Sequence, residues 1–374
     1  MNVLINIARF LVGILFIFSG LVKANDPLGL SYKMQEFFEI WGLHALNDYT
    51  LAFSIAMIAF EIVAGVAVLL GWKMNLFGWL LLLLILFFTF LTGYAVITGK
   101  PKECGCFGDC IPLSARQSFQ KDLLLLALIL FLFFLRKRIK PLFSTRNSML
   151  LLFFSGVFSF ALMWYVLLHL PVVDCLPYKV GKNVLAQLKP PPGSVPDSTV
   201  ITFEYEKDGK KVEFTADNFP EDFNDSVYKN PRRYDKLIRK GNAEPAIKDF
   251  SLSTTDGQNV TDSILNAPGY KLFLFVRNNY TKGDWMIIAD RIVKEAAAKS
   301  ISSVFITSIS MNELQSDPLP ILGSMKLVTC DATAIKTAAR ANPTLYLLKG
   351  DLIVEKWSYS DFNSALNKIR QLNP

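Results

Sequence analysis

Three cysteines fall within seven residues of this 374-residue chain: Cys104, Cys106 and Cys110, in the stretch KPKECGCFGDCIPLS. A C-x-C-x3-C cluster can carry thiol–disulfide exchange, which needs an attacking thiolate and a resolving thiol close by. Gly105 and Gly108 would let such a loop bend tightly. Three thiols can shuttle one disulfide between two pairings, and a Cys104–Cys106 bond would close a small, strained ring. Two other readings stand beside exchange. One is a permanent clip, Cys104–Cys110 or Cys106–Cys110, with one cysteine left over. The other is a metal site, the weakest of the three, because His44 and His169 are both far away in sequence; no metal is expected. Lys100 and Lys102 favour a thiolate in the loop, whereas Glu103 and Asp109 oppose it. Cys175 and Cys330 complete the set of five, Cys175 as a possible partner for the odd loop cysteine and Cys330 as a core residue.

Which chemistry is open to the loop depends on its side of a membrane. The chain is 52% hydrophobic with a mean hydropathy of +0.33, too apolar for an ordinary soluble protein. The apolar runs lie in residues 1–170, and residues 180–374 have a soluble balance. Five segments reach the length that crosses a bilayer: Val3–Val22, Thr50–Leu70, Leu76–Thr98, Ser114–Leu135 and Met149–Leu170. Arg136, Lys137, Arg138, Lys140 and Arg146 cluster between the fourth and fifth, which marks that loop as cytoplasmic. By alternation the cysteine loop and everything after the fifth span lie outside the cytoplasm, where disulfides persist. Lys23 directly follows the first apolar run, which reads as a retained helix and not a cleaved signal. The formal charge of +7 owes part of its excess to the cytoplasmic loop and reflects topology, so nucleic acid is not expected as a partner.

The spans must also position the ionisable groups they carry. Glu61 lies near the middle of the second span, where a charge is expensive and defaults to a functional hypothesis. Arg9 is its expected partner: it lies roughly 9 Å inside the cytoplasmic end of the first span, and Glu61 roughly 14 Å inside that of the second. A buried structural ion pair, proton handling and quinone contact are the alternatives for this pair. Lys121 and Asp122, near the outer end of the fourth span, are expected in a polar pocket beneath the cysteine loop, where a redox partner could dock. Lys23 and Asp26 could join them, and Arg116 and Lys121 could instead reach for lipid headgroups.

The chain divides into a four-span bundle (1–140), a fifth transmembrane helix (141–175), a linker carrying a β-hairpin (176–247) and an α/β domain (248–374). The hairpin is read from two β-rich runs around Asp208-Gly209 in TVITFEYEKDGKKVEFTADNF. Residues 221–247 are polar and read as a connection. Beyond 248, DFSLSTTDGQNVTDS reads as a second hairpin. It is followed by a strand at Lys271–Val276 and an amphipathic helix at Asp284–Lys299 with Ile287, Ile288, Ile292 and Val293 on one side. Strands at Ser303–Ile309 and Lys326–Thr329, a helix near Thr333–Arg340, paired strands Thr344–Leu348 and Leu352–Trp357, and a closing helix then give a thioredoxin order. No phosphate-binding glycine loop, zinc-protease helix, serine nucleophile elbow or haem-attachment motif is present, which counts against a hydrolase.

The membrane half resembles the DoxX/MauE family, on FSGLVKANDP, the intramembrane Glu61, GCFGDC and the following RQSFQKD. The tail resembles the thioredoxin superfamily, with Asn342-Pro343-Thr344 where that superfamily carries its cis-proline. It departs from the superfamily in reading RNNYTKGDW where an active member has Cys-x-x-Cys, so no dithiol activity is expected of the tail. The resemblance implies a Bacteroidetes-type protein of the bacterial inner membrane, contacting lipid, with a periplasmic domain. It also implies a part in envelope thiol–disulfide exchange or maturation, as for family members implicated in methylamine dehydrogenase assembly. Cys104, Cys106 and Cys110 would be the exchanging residues, Glu61, Arg9 and Lys121 would face a membrane quinone, and the tail would bind an envelope client. The alternative is a non-enzymatic membrane scaffold with a structural disulfide.

Overall fold

The computed structural model describes residues 2–372 except 102–104, 106, 225, 240, 278–279, 281–282 and 317–322. Its membrane part contains α1 (Asn2–Ala24), α2 (Pro27–Ile40), α3 (Thr50–Leu70), α4 (Met74–Thr98), α5 (Ala115–Phe134) and α6 (Thr145–Leu168). Five of these, all but α2, are long and apolar enough to span a bilayer, which makes this a multi-pass membrane protein. Large side chains left bare on α4 and α6, such as Leu83, Phe90, Phe153 and Trp164, suit contact with lipid. α6 packs against α3, where Met163 is buried with Ile58 and Ile62.

Glycines set the closest contact in the bundle. A Cβ on Gly13 would meet the Leu69 side chain at 2.5 Å, one on Gly65 would meet Gly13 O at 2.8 Å, and one on Gly20 would meet Ile62 at 2.5 Å. Small residues let two backbones approach in a medium that offers little hydrophobic drive between helices. The result is a single antiparallel register of α1 on α3, level at 13 with 69 and at 20 with 62.

α2 falls inside the segment expected to be a loop. Asp26 caps it, accepting from Gly29 N at 3.0 Å, and Pro27 occupies its first turn. Its apolar face (Leu30, Phe37) turns toward α3 and α4, with the Phe37 and Trp41 rings 5.5 Å apart and Trp41 5.6 Å from Tyr94.

After the short α7 (Val184–Leu188), strands β1 (Ser198–Lys207), β2 (Lys210–Thr215) and β3 (Lys229–Arg239) form an antiparallel sheet in the order β2-β1-β3. The expected hairpin is β1-β2, turning on Asp208 and Gly209, both at positive φ. β3 replaces the expected connection. It is exposed along its whole length and joins the sheet through its backbone, so its sequence shows no alternation.

The C-terminal domain follows with α8 (Thr261–Asn266), β4 (Tyr270–Val276), α9 (Trp285–Ala298), β5 (Ser302–Thr307), α10 (Met311–Ser316), β6 (Lys326–Thr329), α11 (Ala332–Ala338), β7 (Thr344–Lys349), β8 (Leu352–Ser358) and α12 (Phe362–Gln371). Its sheet runs β6-β5-β4-β7-β8, parallel across β6-β5-β4 and antiparallel across β4-β7-β8, which is the thioredoxin order. α9 and α12 cover one face through Ile292, Val293, Phe362 and Ile369, and α11 covers the other through Ile335 and Ala338. Tyr178 and Val184 pack into this second face, ahead of the expected boundary. Residues 252–260 fold back as a short hairpin, Ser253 bridging Asn259 while Val260 N donates to Leu252 O at 2.8 Å and Thr254 N to Gln258 O at 2.9 Å, without extending into named strands. Ile287 is 59% exposed, because the buried stripe of α9 runs Trp285, Ala289, Ile292, Val293 and Ala296.

Cys330 is buried at the end of β6, and burial pushes its thiol up from 9.0 to about 12. As pH rises from about 9 the unfolded chain loses this proton while the folded chain keeps it, so stability falls toward pH 12. Maleimide at pH 8 is therefore expected to label Cys330 only after denaturant unfolds the domain, as mass spectrometry would register.

Candidate functional site

The cysteine loop leaves α4 at Gly99, forms a short turn at Gly108–Cys110, and enters α5 at Ser114. Gly105 and Gly108 take φ of 67° and 56°, and Gly108 N donates to Gly105 O at 3.0 Å. Ser114 and Gln117 close a reciprocal capping box that starts α5 immediately after the loop. Cys110 is disulfide-bonded to Cys175, with the Cα atoms 4.8 Å apart. This corrects the expected clips Cys104–Cys110 and Cys106–Cys110: the sulfur of Cys110 is taken by the segment that follows α6. Cys104 and Cys106 lie outside the described residues. The bond requires the loop between the third and fourth spans and the segment after the fifth to share one side of the membrane, in agreement with the alternation of spans.

Beneath the loop, α1, α3 and α5 bring together two ion pairs. Lys23 Nζ lies 2.6 Å from Glu61 Oε1, and Ser19 Oγ donates to Glu61 Oε2 at 3.1 Å. Lys121 Nζ lies 2.8 Å from Asp122 Oδ1, and Thr92 Oγ1 donates to Asp122 Oδ2 at 3.0 Å. Lys23, Glu61 and Asp122 are almost fully buried, and Lys121 lies 5.0 Å from the Phe107 ring of the loop. All four, with Ser19 and Phe107, line one small cavity of about 20 Å3, room for a single water. Lys121 and Asp122 thus line a polar cavity under the loop, too small to hold more than a water.

Arg9 is not part of it. The α1–α3 register sets Glu61 level with residue 21 of α1, about 18 Å along the axis from Arg9. Arg9 instead lies beside Gly71 and donates to Lys140 O at 3.4 Å. Counting depth from each helix end assumed that the ends are level, whereas α1 extends past the end of α3. Side chains lean toward their helix N-terminus, so on antiparallel helices Lys23 leans inward and Glu61 outward, and they converge.

A second, larger cavity of about 420 Å3 lies between α2, α3 and α4. Phe37, Phe38 and Trp41 of α2, Phe53 and Phe60 of α3, and Phe87 and Phe88 of α4 line it. Its polar edge consists of Lys23, Lys33, Thr92 and the loop residue Gly105. Lys23, 4.9 Å from the Phe88 ring centroid, borders both cavities. A polar path thus runs from the aromatic cavity through Lys23 to Glu61 and through Thr92 to Asp122.

The C-terminal domain sits directly on this end of the bundle. Arg340, 5% exposed, donates to Asp26 Oδ2 at 2.7 Å and to Asp109 Oδ2 at 2.5 Å. Burial alone would lower the pKa of its guanidinium, but the two carboxylates outweigh this and hold it raised. Arg277 Nη1 donates to Tyr32 Oη at 2.5 Å, and Lys336 Nζ donates to Gln35 at 3.2 Å. Lys356 pairs with Asp174, next to Cys175, and His169 Nδ1 lies 2.8 Å from Asp361 Oδ1. Of these interdomain residues only Asp26, Asp109 and His169 figured in the reading of the sequence, and none as a contact between the two parts, because each contact joins positions far apart in the chain.

Residues 1–135 match the family described as methylamine utilisation protein MauE, and residues 199–240 match a domain of unknown function, DUF8463. No curated protein matches the chain. Similar solved structures include Arabidopsis thaliana ScoI with copper bound, at 16% identity over 33% of this chain and 97% of that one, with a TM-score of 0.25. A second is BsSco, a member of the Sco family of cytochrome c oxidase assembly proteins in which a disulfide switch was identified, at 15% identity, 34% and 94% coverage and a TM-score of 0.25. A third is the Xanthomonas campestris bacterioferritin comigratory protein, at 14% identity, 34% and 92% coverage and a TM-score of 0.25. Over residues 1–135, then, the chain is similar to the MauE family of membrane proteins, and it continues into a C-terminal domain of thioredoxin-like order.

Proposed function

We propose that this protein is a thiol–disulfide redox protein of the bacterial inner membrane, passing electrons from envelope dithiols to a membrane quinone. One observation carries the reading: Gly105, the residue between Cys104 and Cys106, walls the aromatic cavity whose polar edge is Lys23 and Thr92. Flat rings and a 420 Å3 volume suit a lipophilic ring. A client dithiol reduces Cys110–Cys175 through a mixed disulfide and leaves as its own disulfide, having lost two electrons and two protons. Exchange with a Cys104–Cys106 disulfide restores Cys110–Cys175 and leaves Cys104 and Cys106 as thiols. These give two electrons and two protons to the quinone, forming quinol and closing Cys104–Cys106 again. Lys23–Glu61 and Lys121–Asp122 line the path for the protons. Arg9 has no role in this scheme. The loop and the C-terminal domain face the periplasm, as the basic loop after α5 supports.

Thiol trapping of membranes at graded redox potentials tests the exchange. A reversible change in the number of trapped thiols, lost in Cys106→Ser, supports it; cysteines that stay oxidised under strong reductant, with no effect of substitution, refute it. The second reading is a non-enzymatic scaffold, favoured by the Cys110–Cys175 bond and the absence of Cys-x-x-Cys from the tail. That reading expects the second outcome.

A further inference from the structure

Both carboxylates that hold Arg340 belong to the membrane part, and its own domain supplies the Lys336 carbonyl oxygen at 2.7 Å. The two carboxylates do different work. Asp26 caps α2, the helix that walls the aromatic cavity, and Asp109 adjoins Cys110 in the cysteine loop. One guanidinium therefore ties the loop, the cavity wall and the C-terminal domain together. Most of the surrounding contacts also place the cation on the domain, the exception being Asp361, which meets His169 of the membrane part. Arg277, Lys336 and Lys356 of the domain meet Tyr32, Gln35 and Asp174 of the membrane part. Two ion-paired cations, Arg340 and Lys356, with two further cations on neutral acceptors, make a largely complementary face.

The edge of the domain that makes these contacts is also informative. Arg277 follows β4, and its backbone N–H donates to Asn342 Oδ1 at 2.9 Å, in the loop that carries Arg340. In open α/β sheets ligands bind outside the carboxyl ends of the parallel strands. Here that edge faces Tyr32, Asp26 and Asp109.

We infer that the C-terminal domain is a cap docked in cis: its ligand-binding edge is occupied by its own membrane domain, and Arg340 holds it over the cysteine loop. The cap admits small thiols to the half-buried Cys110–Cys175 bond and excludes protein-sized ones until it lifts.

The test is reduction of Cys110–Cys175 in the full-length protein in nanodiscs, by dithiothreitol and by a thioredoxin, followed by thiol labelling. In each case the reductant's dithiol becomes a disulfide and Cys110 and Cys175 become thiols. Arg340→Gln is expected to speed reduction by thioredoxin at least about tenfold and by dithiothreitol less than about threefold. Arg340→Lys, which cannot fork to two carboxylates, should fall between. The pair Asp26→Asn with Asp109→Asn breaks the same clamp from the membrane side and should give the same split. Equal acceleration by both reductants, or none in either clamp variant, overturns the cap. The measurement contains no quinone, so it stands or falls separately from the proposed electron path.

Discussion

Glu61→Ala is expected to cost the membrane domain about 3 kcal/mol, and Lys23→Met about 4–5 kcal/mol, read from denaturation in mixed micelles. Each variant removes one half of a 2.6 Å pair in which both side chains are at most 3% exposed. A lone buried charge loses hydration without regaining a partner, which is why breaking such a pair costs more than the pair contributes. The asymmetry follows from position. Lys23 sits at the outer end of α1 and can turn its ammonium toward the interface once released. Glu61, about 3 Å deeper by the α1–α3 register, has a shorter side chain that cannot reach out in the same way. The double variant Lys23→Met with Glu61→Leu removes both charges and should recover to within about 1–2 kcal/mol of the parent. If it is equally stable yet fails to reduce quinone, the pair serves the electron path and not the fold.

The second large effect concerns the loop. Cys104→Ser and Cys106→Ser are each expected to lower quinone-coupled dithiol oxidation by at least on the order of 10^3, because a serine hydroxyl supplies neither the thiolate nor the disulfide. Cys330→Ser should leave the rate unchanged, since that thiol is buried with its pKa at about 12. Cys110→Ser should act in two ways, stopping exchange and releasing the Cys175 segment. A free loop of 65 residues would gain about 4 kcal/mol of closure entropy from such a bond. Inserted α5 and α6 already restrain both ends, so the stability lost should be smaller, about 1–2 kcal/mol.

Much of this architecture was legible in the residues. Long apolar runs placed five spans, and the β-rich runs after 270 placed the sheet order. What was not legible falls into three physical kinds. Helix depth depends on register, which the close contacts of Gly13, Gly20 and Gly65 set; without them Arg9 looked like the partner of Glu61. Elements that lack a periodic signal leave no mark in the residues, as with the uniformly exposed β3, whereas Asp26-Pro27 before Leu30, Met34 and Phe37 does announce α2. Contacts between distant segments carry no local mark. Cys110 with Cys175 and Arg340 with Asp26 and Asp109 are set by how the C-terminal domain lands on the bundle.

In the proposed scheme, thiols of the loop reduce a quinone held in the aromatic cavity. The most direct measurement uses the full-length protein in proteoliposomes with a lipophilic quinone, a reduced dithiol peptide supplied outside, and quinol followed by its ultraviolet absorbance. Quinol forming one for one with peptide disulfide, and abolished by Cys106→Ser, is the expected result. Peptide oxidation that proceeds without quinol, or quinol that forms equally well in Cys106→Ser, would contradict it.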